Sequence, residues 1–116
     1  YGNAMELSTG VASVLNEGTI VTSLSLTQNY PNPFNPSTTI NYNVDASGMV
    51  TLKVYDVMGR LVRTLVDGYK ISGYESGYSV VWDGKDQQGQ QVSAGLYIYS
   101  LQTPTGIKTK KMVLMK

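Results

Sequence analysis

Apolar and polar residues alternate along two segments in the first half of the chain, at 38–44 and 50–55. In the first segment Ile40, Tyr42 and Val44 fall on one side, while threonine and asparagine fall on the other. Successive side chains of a β-strand point to opposite faces of its sheet. The alternation therefore predicts two strands, each with one buried and one solvated face.

Shorter apolar runs predict five further strands, at 22–26, 61–66, 78–82, 96–101 and 109–115. The run at 61–66 is apolar on both faces apart from Arg63 and Thr64, so both of its faces could be covered. No long segment has the 3.6-residue period of an amphipathic helix. The pattern predicts an all-β fold, an antiparallel β-sandwich of about seven strands.

Three predicted turns share one chemistry, because each places aspartate first and glycine fourth: 45–48, 56–59 and 86–89. The aspartate carboxylate can accept hydrogen bonds from the following backbone N–H groups, and the glycine can adopt positive φ. These segments are therefore predicted to be type I turns between antiparallel strands.

A proline-rich segment precedes the first long strand, with three of the four prolines inside 31–36. Proline fixes φ, donates no backbone hydrogen bond and pushes the preceding residue to extended conformations. The segment is predicted to be a stiff lead-in loop, in which Phe34, the only phenylalanine, is an apolar plug that pins the loop to the domain. The lead-in comprises Tyr30, Pro31, Asn32, Pro33, Phe34, Asn35 and Pro36.

The first 23 residues are predicted to form an N-terminal arm or linker, separate from the sandwich at 24–116. This arm is too apolar for a free linker and too short for a second domain. It could add a strand to a sheet edge of its own domain or of another molecule. Its apolar residues are Met5, Leu7, Val11, Val14, Leu15, Ile20 and Val21.

Composition excludes several classes of function. The chain has the length of one domain, and its net charge of +1 gives no field that would attract nucleic acid. It has no cysteine and no histidine, which excludes disulfides, zinc sites of the usual ligand types and a histidine general base. No apolar run approaches the roughly 18 residues of a membrane span, so membrane insertion is not predicted.

Residues that could carry chemistry are few. No catalytic constellation is found, so the chain is predicted not to be an enzyme and to need no cofactor. Asp83 and Asp86 indicate calcium only weakly, because the other ligands of a calcium loop are missing, and they are expected to serve a turn. Trp82, the only tryptophan, is predicted to fill the centre of the sandwich. A glycan-binding face would need a row of exposed aromatic side chains, for which Tyr97 and Tyr99 are the nearest candidates.

Five motifs follow one another along the chain: the lead-in with the strand start at 30–40, Val-Tyr-Asp-x-x-Gly-Arg at 54–60, Trp-Asp-Gly at 82–84, Ala-Gly-Leu-Tyr at 94–97 and Thr-Lys-Lys-Met-Val-Leu-Met-Lys at 109–116. In this order they resemble the C-terminal sorting domain of type IX secretion cargo. They are also similar to the immunoglobulin-like domain of the flagellar hook-capping protein. The resemblance covers roughly residues 24–116 and implies an immunoglobulin-like β-sandwich.

The resemblance implies a sorting and surface-anchoring domain, secreted to the cell surface of a Gram-negative bacterium. Its implied partners are the secretion apparatus or the machinery that attaches cargo to a surface glycolipid. Recognition would fall on the lead-in and on the last strand, which follows the final acidic residue of the chain. The residues concerned in that strand are Lys108, Lys110, Lys111, Met112, Val113, Leu114, Met115 and Lys116. The alternative is a solvated edge strand whose lysines discourage edge-to-edge pairing.

A second hypothesis makes the chain a structural subunit that binds other copies of itself. The arm would add a strand to the open sheet edge of a neighbouring copy, and a head-to-tail contact that does not close would build an extracellular filament. The two hypotheses differ in one expectation. A sorting domain works as a monomer without the arm, whereas filament assembly requires it.

Overall fold

The structure is a computed structural model and describes residues 23–116. Residues 1–22, which include all seven apolar arm positions named above, lie outside the described part. The described strands are β1 (Ser25–Leu26), β2 (Thr38–Asn43), β3 (Gly48–Asp56), β4 (Leu61–Lys70), β5 (Tyr78–Trp82), β6 (Gly95–Thr103) and β7 (Gly106–Leu114).

The seven strands of residues 23–116 form two antiparallel sheets that pack face to face. The smaller sheet has the order β1-β2-β5, and the larger has the order β4-β3-β6-β7. In this arrangement β1 lies across from β7 on one flank of the sandwich, and β5 lies across from β4 on the other flank. This architecture confirms the predicted all-β, immunoglobulin-like sandwich.

The buried faces follow the sequence alternation. In β3, Val50, Leu52 and Val54 are fully buried, and in β2 Ile40 and Tyr42 are buried opposite them. The intervening residues of both strands are partly or fully exposed. The strand positions with the clearest period-two pattern therefore form the middle of the core.

The core is closed by large side chains from the other strands and from the lead-in. Trp82 at the end of β5 is 0% exposed, at the central position that the sequence predicts. Its indole N–H donates a hydrogen bond of 2.9 Å to the carbonyl of Lys85, so the one polar atom of the ring is satisfied. The other buried apolar residues are Leu26, Phe34, Val44, Tyr97, Tyr99, Leu101, Met112 and Leu114.

β4 differs from its prediction in both length and burial. It continues beyond Val66 to Lys70, and none of its residues is buried. The expectation that both of its faces could be covered is therefore wrong. The physical reason is its place at the end of the larger sheet, where a β-bulge opposite Leu52 and Lys53 also shifts its register.

Two of the three aspartate–glycine turns have the predicted geometry. In each, the glycine N–H donates to the carbonyl of the aspartate, over 3.0 Å at 56–59 and 2.9 Å at 86–89. The Asp56 carboxylate also accepts hydrogen bonds from the backbone N–H groups of Met58 and Arg60, and the Arg60 N–H bond is the main cause that lowers the pKa of Asp56. The prediction of a type I turn at 45–48 is wrong. This segment is a bend in which Asp45 accepts a hydrogen bond from the hydroxyl of Thr105.

Replacing Trp82 by alanine is expected to lower the free energy of unfolding by about 3–5 kcal/mol, because the loss of a buried indole leaves a cavity. The adjacent Val81 is 58% exposed and provides the control. Val81→Ala should change stability by less than about 0.5 kcal/mol. Chemical denaturation measures both variants, and a loss under about 1 kcal/mol for Trp82→Ala would be incompatible with a central position.

Replacing Gly59 by valine is expected to destabilise the fold by about 1–2 kcal/mol or more, because a β-branched residue is strained at positive φ. Gly59 has φ 83°, and an added Cβ would meet no atom within 4 Å, so the effect isolates backbone strain. Gly68 also has open space around its Cβ but no positive φ. Gly68→Val should therefore be neutral or stabilising in the same thermal melts, and equal losses at both glycines would contradict the turn assignment.

Candidate functional site

The proline-rich lead-in is bound to the outer edge of β7. The Phe34 N–H donates to the carbonyl of Val113 over 2.9 Å, and the Met115 N–H donates to the carbonyl of Phe34 over 2.8 Å. The Val113 N–H donates to Oδ1 of Asn32 over 3.0 Å. Phe34 therefore pairs with the last strand as a one-residue parallel strand, and the two segments that the sequence singled out form one feature.

The side chain of Phe34 anchors this feature in the core. Phe34 is 1% exposed, and its ring centroid lies 5.6 Å from that of Trp82. Trp82 in turn makes an edge contact with Tyr97 at 5.3 Å. The aromatic contacts thus join the lead-in, the Trp-Asp-Gly motif and the Ala-Gly-Leu-Tyr motif, as expected if Phe34 is a plug.

The end of the lead-in packs closely against Gly84. Gly84 is buried with φ 77°, and a Cβ at this position would come within 3.1 Å of the Pro36 carbonyl and 2.9 Å of the Gln91 side chain. Only a residue without a side chain allows this close approach. The Trp-Asp-Gly motif therefore supplies both the aromatic partner of Phe34 and the space for the lead-in backbone.

A buried polar network holds the start of the lead-in. Asn29 is 2% exposed, and its side-chain amide donates to the hydroxyl of Thr38 over 3.0 Å and to the carbonyl of Pro31 over 3.2 Å. The Tyr99 hydroxyl donates to the Thr27 carbonyl over 2.7 Å and accepts from the Asn29 N–H over 2.9 Å. Burial raises the pKa of Tyr99 above its usual range, and the hydrogen bond from Asn29 offsets part of that effect.

Sequence reasoning missed this network. Asn29, Thr38 and Tyr99 come from three separate segments, and a single sequence gives no signal that they meet. The only local hint is that Asn29 and Thr38 stand at the two ends of the proline-rich segment. Tyr97 and Tyr99, the nearest candidates for a glycan-binding face, are 5% and 0% exposed and face the core, so they do not form the exposed aromatic row that such a face would need.

The residues of the last strand divide between two faces of the larger sheet. Met112 and Leu114 are 0% and 1% exposed, so their side chains are not accessible in the folded domain. Val113 and Met115 are 37% and 50% exposed. Val113 and Met115 are therefore the accessible apolar residues of the predicted recognition segment.

The lysines of this segment also point in different directions. Lys110 pairs with the buried Tyr99, whereas Lys111 pairs with Ile98 on the outer face, so the two side chains leave the sheet on opposite sides. Within residues 23–116 the ion pairs are Arg60–Asp56 and Arg63–Asp83, and neither involves a lysine of the last strand. Among residues 23–116 these ammonium groups have no salt-bridge partner.

The described residues contain neither a cluster of metal-ligating side chains nor a membrane-spanning helix. Asp83 accepts a hydrogen bond from the Lys85 N–H, and Asp86 accepts hydrogen bonds from the N–H groups of Gln88 and Gln90, so both carboxylates serve their turns. No group of three or more metal-ligating side chains occurs within 23–116. In the same range no helix is long and apolar enough to cross a membrane.

Comparisons with known proteins identify relatives of this fold. A family model described as the FlgD Ig-like domain matches residues 35–106. Dimeric latent PorU from Porphyromonas gingivalis is similar, with 23% sequence identity and a TM-score of 0.63 over 89% of this chain and 10% of that protein. PorZ, described as an essential bacterial surface component of the type-IX secretion system of the same organism, is similar with 21% identity and a TM-score of 0.52 over 80% of this chain and 11% of that protein.

These similarities differ in what they show. At the identities given, the two solved structures show the fold alone, and this chain spans about a tenth of the length of each. No curated protein matches the chain significantly. The family model, in contrast, matches more than half of the residues.

Replacing Tyr99 by phenylalanine is expected to lower the free energy of unfolding by about 1–3 kcal/mol, because the Asn29 N–H and the Thr27 carbonyl would lose a buried partner. Tyr69 is 64% exposed, and Tyr69→Phe provides the matched control with little expected change. Denaturant unfolding of both variants measures the difference. Equal stability of the two would mean that the hydroxyl does not hold the lead-in.

Proposed function

The chain belongs to the FlgD Ig-like domain family, and on that premise we propose that it is a non-enzymatic sorting and surface-anchoring module of a secreted bacterial protein. The likeness of its fold to segments of PorU and PorZ supports this proposal. PorZ is described as a bacterial surface component of the type-IX secretion system. A location outside the cell, at the surface of a Gram-negative bacterium, is consistent with the likeness to these two proteins.

The observation that carries the proposal is the joint between the lead-in and the last strand. Phe34 and Asn32 make three hydrogen bonds to the main chain of β7 and the residue that follows it. A partner that binds this corner would contact both segments at once, and it would find them together only in the folded domain. The module would thus be recognised by shape and by exposed groups, with no reaction taking place in it.

The exposed groups on this corner determine which kind of partner surface can bind it. Lys111, Val113 and Met115 lie on the outer face of the larger sheet, with Lys116 after them. They combine positive charge with accessible apolar surface. An anionic surface, such as the head group of a surface glycolipid or an acidic patch of the secretion apparatus, is complementary to such a combination.

Charge reversal tests the proposal. A reporter protein is fused ahead of residue 1 of the complete chain and expressed in a bacterium that has type IX secretion. The double variant Lys110→Glu and Lys111→Glu is expected to reduce the exported fraction at least about tenfold, as loss of a charge-assisted contact worth about 1.4 kcal/mol or more would do. Export is measured as the reporter fraction at the surface and in the medium.

A matched variant controls for net charge. Lys53→Glu with Lys70→Glu makes the same change in charge outside the lead-in and the last strand and should leave export unchanged. The single variants at 110 and 111 then show which side of the sheet the partner contacts. Normal export of the double variant, with a normal melting temperature, would overturn the role of these lysines.

A further inference from the structure

The two flanks of the sandwich are closed to different degrees. On the flank of β1 and β7, the segment from Leu24 to Pro36 seals the space between the sheets. The Gln28 side chain donates to the Lys111 carbonyl over 2.7 Å, and Asn32 and Phe34 bind the edge farther along. The main chain of the last strand and the residue after it is therefore bonded on this flank at Lys111, Val113 and Met115.

The opposite flank, between β4 and β5, contains an open groove. Leu65, Val66, Tyr78 and Val80 pack against the core but remain partly exposed along it. The groove has a volume of about 340 Å³, and Asp67, Gly68, Lys70 and Ser79 line it beside these apolar residues. Apolar side chains at this flank are thus left half covered, in contrast to those of β3 and β6.

Main-chain groups border the groove on both sides. β4 and β5 are terminal strands of their sheets within the described residues, so each has one edge without a neighbouring strand. Toward one end, Gln87 covers the edge of β4 through hydrogen bonds with Val62 and Thr64. Toward the other end, the ring of Tyr74 packs on Tyr78 at 4.9 Å. The Tyr78 hydroxyl also bonds to the main chain of Ile71 at that end. Between these two limits neither strand edge has a neighbouring strand among the described residues, and the floor of the groove is part apolar and part polar.

We propose that this groove accepts a β-strand from a second copy of the same chain, and that residues 18–22 form the core of that strand. Thr19, Ile20, Val21 and Thr22 are four consecutive β-branched residues, the type that strands favour most. An added strand would pair with the open edge of β4 or β5 and place alternate side chains over the apolar part of the floor.

The position of Leu24 disfavours the same chain's residues 20–22 as the occupant. Leu24 precedes β1 on the sealed flank, and its side chain lies 3.6 Å from the place of a Cβ on Gly106. A strand added beside β5 would lie three strand spacings from β1, about 14 Å. The extended chain from Leu24 back to Ile20 spans at most about 14 Å, so crossing to the groove would use all of its length.

Leu24, which follows the proposed donor segment, and the acceptor groove therefore lie on opposite flanks of each molecule. A contact of this kind is head-to-tail, and unless its rotation closes a ring it continues from copy to copy. The expected product is an open chain of sandwiches joined by donated strands. This inference does not depend on the sorting role, because the two use different surfaces.

Cysteine cross-linking tests the proposal directly, since the natural chain has no cysteine. Single variants Ile20→Cys and Val21→Cys are each mixed with Gly68→Cys and oxidised mildly. One of the two donor positions is expected to give a mixed disulfide dimer at least about tenfold above a control mixture in which Gln102→Cys replaces Gly68→Cys. Gly68 has open space and no positive φ, so its substitution should preserve the fold.

Light scattering of the full chain across a concentration series provides the second measurement. The unmodified chain is expected to assemble, Gly68→Arg to remain monomeric by filling the groove, and Gln102→Arg to assemble normally. A monomer at all concentrations would overturn the proposal, as would equal cross-linking at Gly68 and Gln102. A disulfide within one chain of the Ile20→Cys/Gly68→Cys double variant at high dilution would overturn it in favour of the chain's own arm.

Discussion

The pairing of Phe34 with the edge of β7 is the interaction on which the rest of the sandwich depends. β7 ends the larger sheet, and without a neighbour its outer N–H and C=O groups would offer a template for other strands. Phe34 uses its N–H and its carbonyl on this edge and places its ring against Trp82. The main chain of Phe34 thus bonds the end of this edge, and its side chain fills the core at the same point.

Proline explains why the pairing stops after one residue. Pro33 and Pro36 flank the pairing residue and have no N–H to donate, so the lead-in cannot continue as a regular edge strand. The Asn32 side chain supplies an acceptor in place of a backbone group. The lead-in therefore pairs with the end of β7 but does not itself offer a new strand edge of comparable length.

The parts of this fold that a sequence can predict are those with one buried face. Val50, Leu52 and Val54 alternate with polar residues, and burial of one face fixes the register of such a strand. The apolar residues of β4 predict cover on both sides, whereas its position at the edge of the sheet leaves them half exposed. The contacts of Asn29 with Tyr99 join residues far apart in sequence, and no local pattern records them.

The two proposed surfaces can act in one molecule without competing. The lead-in and β7 occupy one flank, and the groove between β4 and β5 occupies the other, with β3 and β6 between them. A sorting partner at Lys111 and Met115 would therefore leave the groove open to a neighbouring chain. Since the lead-in already bonds part of the edge of β7, the proposed strand addition is assigned to the other flank, where the terminal strands β4 and β5 have no described neighbour. In the two proposals, the asymmetry created by Phe34 separates the corner that a sorting partner would bind from the flank where a second copy would add a strand.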